Sequence, residues 1–110
     1  MSQEIRTISS IKAARIALGW SQPDLAARSG VSLVAIARLE AGMVSPRLST
    51  LSKLKEALTA AGVRIVDNEP PGGYTLSVNA QAIAESVRRN AQVESSAIPG
   101  VELGRSKPGR

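Results

Sequence analysis

The chain of 110 residues is long enough for one compact domain with an appendage and too short for two separate cores. It contains no cysteine and no histidine, which excludes disulfides, thiolate metal sites, Ser-His-Asp catalysis and nearly all zinc chemistry. The formal charge of +5 sits wholly in residues 1–66, where nine Lys and Arg face four Asp and Glu; such an excess either draws a polyanion or is a merely soluble basic surface.

In chain order, small polar residues and glycines punctuate the first sixty positions. Thr7, Ser21 and Ser32 stand where helix N-caps belong, and a fourth cap is expected near Arg47 to Ser49. Gly19, Gly42 and Gly62 follow apolar-periodic runs, where a left-handed residue closes a helix. The first helix is expected from Ile8 to Leu18, with Ile8, Ile11, Ala14 and Leu18 on one face. The second spans Gln22 to Ser29, with Pro23 tolerated in its first turn and Ser21-x-x-Asp24 resembling a capping box. The third spans Leu33 to Ala41. The fourth spans about Leu48 to Ala61, with Leu48, Leu51, Leu54, Leu58 and Ala61 at helical spacing.

After Gly62 the pattern changes. Val63 to Val66 and Tyr74 to Val78 are rich in β-branched or aromatic residues, and the Asp-Asn-Glu-Pro-Pro-Gly-Gly between them is turn chemistry, so a β-hairpin is expected. Asn79 is placed to cap a further helix to about Val93, whose thin apolar stripe of Ile83, Val87 and Ala91 needs a partner for stability. From Ser95 the Ser, Gly, Pro, Arg and Lys composition predicts a flexible tail. One Trp, one Tyr and no Phe leave Ala, Leu, Ile and Val to build the core, which favours a helical bundle. The expected fold is thus mainly α: four helices over 7–62, a hairpin over 63–78, a C-terminal helix over 79–94 and a tail over 95–110.

The informative unit is Trp20 to Gly42. Two short helices flank Ser29-Gly30-Val31-Ser32, with Gly30 at the left-handed position that a tight turn requires. Leu25, Val31 and Ile36 are spaced to face inward, and Ala26 is small where the helices nearly touch. Such a pair holds one helix proud of the surface, where it can enter a DNA major groove.

Three stretches resemble the lambda-repressor-like (Cro/XRE-type) family of helix-turn-helix transcriptional regulators. They are I-x-x-A-R-x-x-L-G-W-S-Q from Ile11, D-L-A-x-x-S-G-V-S-x-x-x-I-x-x-L-E-x-G from Asp24, and P-R-L-S-T-L-x-x-L-x-x-A-L from Pro46. The resemblance covers about Thr7 to Gly62 and implies double-stranded DNA as the partner. It implies that Gln22, beside the DNA backbone, braces the third helix, and that Ser21 lies in the same DNA-facing set. Leu33, Val34 and Arg38 would then project towards base edges, with Ser32 near a phosphate and Arg47 reaching the backbone or minor groove. Arg15 and Glu40 would form a structural ion pair, as often in this family. The stretch A-G-V-R-I-V-D before a Gly-Gly turn looks like a subgroup of small single-domain members.

Leu33 and Val34 depart from the Gln, Thr, Arg or Asn of many relatives. They lack bidentate donors and could meet only thymine methyl groups, which leaves Arg38 as the candidate for guanine. Trp20 reads as a core plug between helices one and four rather than a stacking platform. Lys53 and Lys55 either touch phosphate or form a solvated face. Arg88 and Arg89 read as solvated. The Ser9-x-x-Lys12 and Ser52-x-x-Lys55 spacings lack any companion motif, and no acid, base and nucleophile converge, so no enzyme and no cofactor or metal is expected.

The expected function is a sequence-specific transcriptional regulator, a repressor occupying a promoter operator as a homodimer. Two alternatives stand beside it. One is an antitoxin-like regulator whose residues 63–110 bind a toxin; the other is a protein-binding module that uses the surface of the third helix. No stretch approaches the ~20 apolar residues of a membrane span, and Met1 to Ser10 shows no apolar run with a cleavage site, so a cytoplasmic protein is expected.

Overall fold

The computed structural model describes residues 3–97, with side chains to residue 91. Five helices and one hairpin follow in the order α1 (Gln3–Ala17), α2 (Gln22–Ser29), α3 (Leu33–Glu40), α4 (Leu48–Ala60), β1 (Val63–Asp67), β2 (Tyr74–Val78) and α5 (Ala80–Ala97). The fold is mainly α, with a two-stranded antiparallel sheet after the four-helix bundle. No described helix is long and apolar enough to cross a membrane.

The core is aliphatic. Ile11, Ala14 and Leu18 of the α1 region meet Leu25, Val31, Ile36, Leu39, Leu54 and Leu58, with Trp20 as the one buried aromatic residue. At roughly 1.5–3 kcal/mol for each fully buried large aliphatic side chain, this cluster is the main source of stability. Local chemistry cuts the helices to length. Ser21 Oγ accepts the Asp24 N–H and the Asp24 carboxylate accepts the Ser21 N–H, a complete capping box. Ser32 Oγ accepts the Ala35 N–H at the start of α3. Gly30, at φ +78°, turns the chain from α2 into α3.

Three expectations are corrected. First, α1 begins at Gln3 rather than Ile8, and Thr7 is a buried interior residue, not a cap; its carbonyl accepts the Ser10 hydroxyl. The physical reason is the hairpin, which packs along α1 and gives its early turns something to bury against. Ser9 Oγ and Tyr74 Oη lie 3.1 Å apart across that contact. Second, Leu48 does not belong to the inner stripe of α4: it is 83% exposed, the first helical residue at the bundle rim, and Arg47 precedes it as an N-cap without any side-chain cap bond. Third, α5 runs on to Ala97, three residues past the expected limit of 94; of the expected tail, residues 98–110 lie outside the described residues.

The hairpin registers Val63 against Val78, Ile65 against Leu76 and Asp67 against Tyr74. Val63 is buried, and Ile65, Leu76 and Val78 pack on the core, while Arg64, Thr75 and Ser77 face solvent. α5 then folds back across the bundle. Among its described side chains the buried ones are Ala82 and Ser86, and Ser86 lies against Gly19 at the end of α1. A Cβ on Gly19 would stand 3.1 Å from both Ser86 Oγ and Asn90 Oδ1. Ile83 and Val87, the expected apolar stripe, therefore point to solvent, 51% and 63% exposed. Asn79 caps α5 through Oδ1 to the Ala82 N–H and gives its own N–H to the Gly62 carbonyl.

Gly62 ties these pieces together. Its φ is +104°, and a Cβ there would come within 2.6 Å of the Asn79 amide. Gly62→Ala must strain the backbone and displace the α5 cap, so it should cost more than about 1 kcal/mol of unfolding free energy. Urea denaturation of both proteins measures this, and a loss under a few tenths of a kcal/mol would mean that the junction yields freely.

Candidate nucleic-acid interface

The third helix is held from behind and left open in front. Ile36 and Leu39 are buried in the core, whereas Leu33 and Val34 are 43% and 57% exposed and Arg38 is exposed. Residues 34 and 38 are four apart and so share one outward face. Ser32 caps this helix from an exposed position, Ser21 does the same for α2, and exposed Arg47 opens α4. The exposed residues thus include three helix N-termini, two arginines and two aliphatic side chains.

Arg15, from α1, fixes the far end of α3. Its Nε donates to Glu40 Oε2 at 2.8 Å and its Nη2 to Oε1 at 3.0 Å, a bidentate pair. Its Nη1 donates to the Trp20 carbonyl at 2.7 Å. Gln22 Nε2 donates to the same Glu40 Oε1 at 3.0 Å. Both charged side chains are withdrawn from water, at 12% and 3% exposed. Sequence reasoning expected the pair, and the family resemblance implied that Gln22 braces the third helix, which it does here through Glu40; the Trp20 carbonyl carried no signal.

Trp20 is buried, as expected of a plug, and also carries the Arg28 guanidinium 4.9 Å from its ring centroid, a cation–π contact that sequence did not suggest. Lys55 lies 3.8 Å from Asp67, both about 40% exposed, a pair worth little. In the first turn of α2, the Asp24 carboxyl is held below its ordinary range chiefly by the Ser21 backbone N–H; the nearby Arg89 and Arg28 guanidiniums add smaller effects.

A short helix, a glycine turn and a second helix with one face buried and one presented form a helix-turn-helix DNA-binding unit. Residues 11–59 match the family model described as Helix-turn-helix, and the chain carries a helix-turn-helix domain of the lambda-repressor-like, or XRE, family. Among curated proteins and among solved structures nothing matches the chain significantly.

Two measurements follow from the geometry. Glu40→Ala leaves the Arg15 guanidinium largely buried and without its carboxylate, a change that costs on the order of 3–5 kcal/mol when a buried pair is broken. A double-mutant cycle with Arg15→Ala reads the coupling, and a value below about half a kcal/mol would place both charges effectively in water. Asp24, whose folded pKa is depressed, contributes stability that is complete above its unfolded value of about 4 and is lost as pH falls through the lower folded value. The stability gap between wild type and Asp24→Asn should accordingly stay level from pH 7 to 5 and close on further acidification; a gap that widens there contradicts the capping role.

Proposed function

We propose that this chain is a sequence-specific transcriptional regulator that acts as a repressor, occupying a promoter operator in the cytoplasm as a homodimer. The observation that carries the reading is the outward face of α3, with Val34 and Arg38 presented while Ile36 and Leu39 are locked behind it. On this reading Leu33 and Val34 meet thymine methyl groups and Arg38 pairs with guanine. Ser21, Gln22, Ser32 and Arg47 position the unit on phosphates. Two-fold sites suit a dimer, because one small module buries too little surface for tight selectivity. The exposed Ile83 and Val87 of α5 offer the aliphatic strip for self-association.

A second reading has its own support. Leu33, Val34, Met43, Val44 and Leu48 are all large, apolar and exposed on α3, the α3–α4 segment and the start of α4, as a protein-binding surface would be. An antitoxin-like role, with residues 63–110 holding a partner, would use the α5 strip instead.

Genome-wide mapping of bound sites supplies the operator, and Arg38→Ala then separates the readings. Against the cognate operator the variant should lose about 1–3 kcal/mol, and less on a site with the paired guanine replaced, at one fixed salt concentration. Equal losses on both sites would make Arg38 a phosphate contact. No loss on either, with the fold intact, favours the protein-binding surface.

A further inference from the structure

Where α5 crosses the bundle it leaves a pocket of about 200 Å³, open to solvent on one side, between the ends of α1, α2 and α4 and its own first turns. Trp20, Arg28, Asn79, Gln81, Glu85 and Arg89 line it. Its walls are polar, unlike the aliphatic core a few ångströms away.

Two features set it apart from a packing defect. The Arg89 Nε is fully shielded from solvent and has no hydrogen-bond partner. A shielded guanidinium N–H left unpaired is costly, and native structures ordinarily give such a group a partner, a water or an ion. Arg28, the second guanidinium, sits over the Trp20 ring, which orders it in advance. Among the described residues, Arg15–Glu40 and Lys55–Asp67 are the ion pairs, so neither Glu85 nor Asp24 neutralises Arg28 or Arg89 by direct contact. Arg28 and Arg89 nevertheless line the same pocket, and Asp24 feels both charges.

We propose that this pocket is a binding site for a small oxyanion ligand, a carboxylate or phosphate monoester held between Arg28 and Arg89. The two guanidiniums supply planar N–H donors that fit such groups in bidentate fashion. Glu85, Gln81 and Asn79 line the rest of the wall and favour a ligand whose other end carries hydroxyl or amino groups. The volume lies below the ~300 Å³ of the smallest drug-sized pockets, which restricts the ligand to a small metabolite. Because the lining residues come from α2, from the end of α4 and from α5, an occupant cross-links the C-terminal helix to the helix-turn-helix unit. None of the lining residues is among those assigned to DNA.

Thermal unfolding of the full chain in sodium phosphate and in sodium succinate, each against sodium chloride at matched ionic strength, tests this. A bound ligand raises stability by RT ln(1 + [L]/Kd), so wild type should show a Tm rise that continues with the logarithm of concentration for at least one of the two anions. Excluded-anion stabilisation raises every variant alike. Arg28→Gln and Arg89→Gln should keep the fold by circular dichroism, keep DNA affinity and its salt slope, and lose the anion-specific rise. Which of the two salts gives the rise tells phosphate from carboxylate. Equal rises in wild type and both variants, or none with either salt, overturn the proposal. Weaker binding to all DNA sequences with a salt slope reduced by about one unit per arginine also overturns it, and would make Arg28 and Arg89 contacts to the DNA backbone.

Discussion

The setting of α3 against α1 and α2 depends on a single guanidinium. Arg15 reaches from α1 to both oxygens of Glu40 and to the Trp20 carbonyl, and Gln22 joins from the start of α2. Three helices and the turn between α1 and α2 are thereby pinned to one planar group. The aliphatic contacts around Leu25, Ile36 and Leu39 are larger in energy but indifferent to direction. They would tolerate a helix rotated or slid by a fraction of a turn. The bidentate pair does not, since it is satisfied in one orientation only. Its value is therefore geometric: measured against an apolar replacement, a buried pair adds little net stability.

This division of labour suits a core with few aromatics. Trp20 is its single large ring, and the other contacts are between branched aliphatics and alanines, which allow helices to pack closely. The hairpin and α5 add cover on one side only, over α1 and the far end of α4, and leave the surface of α3 open. The chain has thus spent its extra residues away from the presented helix.

Much of the bundle was legible because its signals are local. Ser21 and Asp24 satisfy each other three residues apart, Ser32 needs only Ala35, and Gly30 needs only its own backbone. Failures came where the deciding partner lies far along the chain. Thr7 reads as a cap until Tyr74 and its strand arrive to cover α1, sixty-five residues from Ser9. The spacing of Leu48 matches the stripe of α4, but periodicity cannot say where a bundle ends. On α5 the hydrophobic pattern marks Ile83 and Val87, while Ala82 and Ser86 turn inward and Ser86 and Asn90 meet Gly19. At the interface, the exposure of Leu33, Val34, Arg38 and Arg47 agrees with the pattern, whereas the shared acceptance at Glu40 depends on a tertiary meeting of α1, α2 and α3.

The small face of α5 has a consequence for how the molecule comes apart. Apolar burial contributes about 25 cal/mol per Å², and Ala82 supplies far less area than any leucine of the bundle. Detaching α5 thus exposes little oil and breaks one cap, whereas opening α2 or α3 exposes Leu25 or Ile36 and strips the Arg15 network. By this reasoning α5 should open locally more readily than α2 or α3, and its amide protons are expected to exchange before those of the bundle.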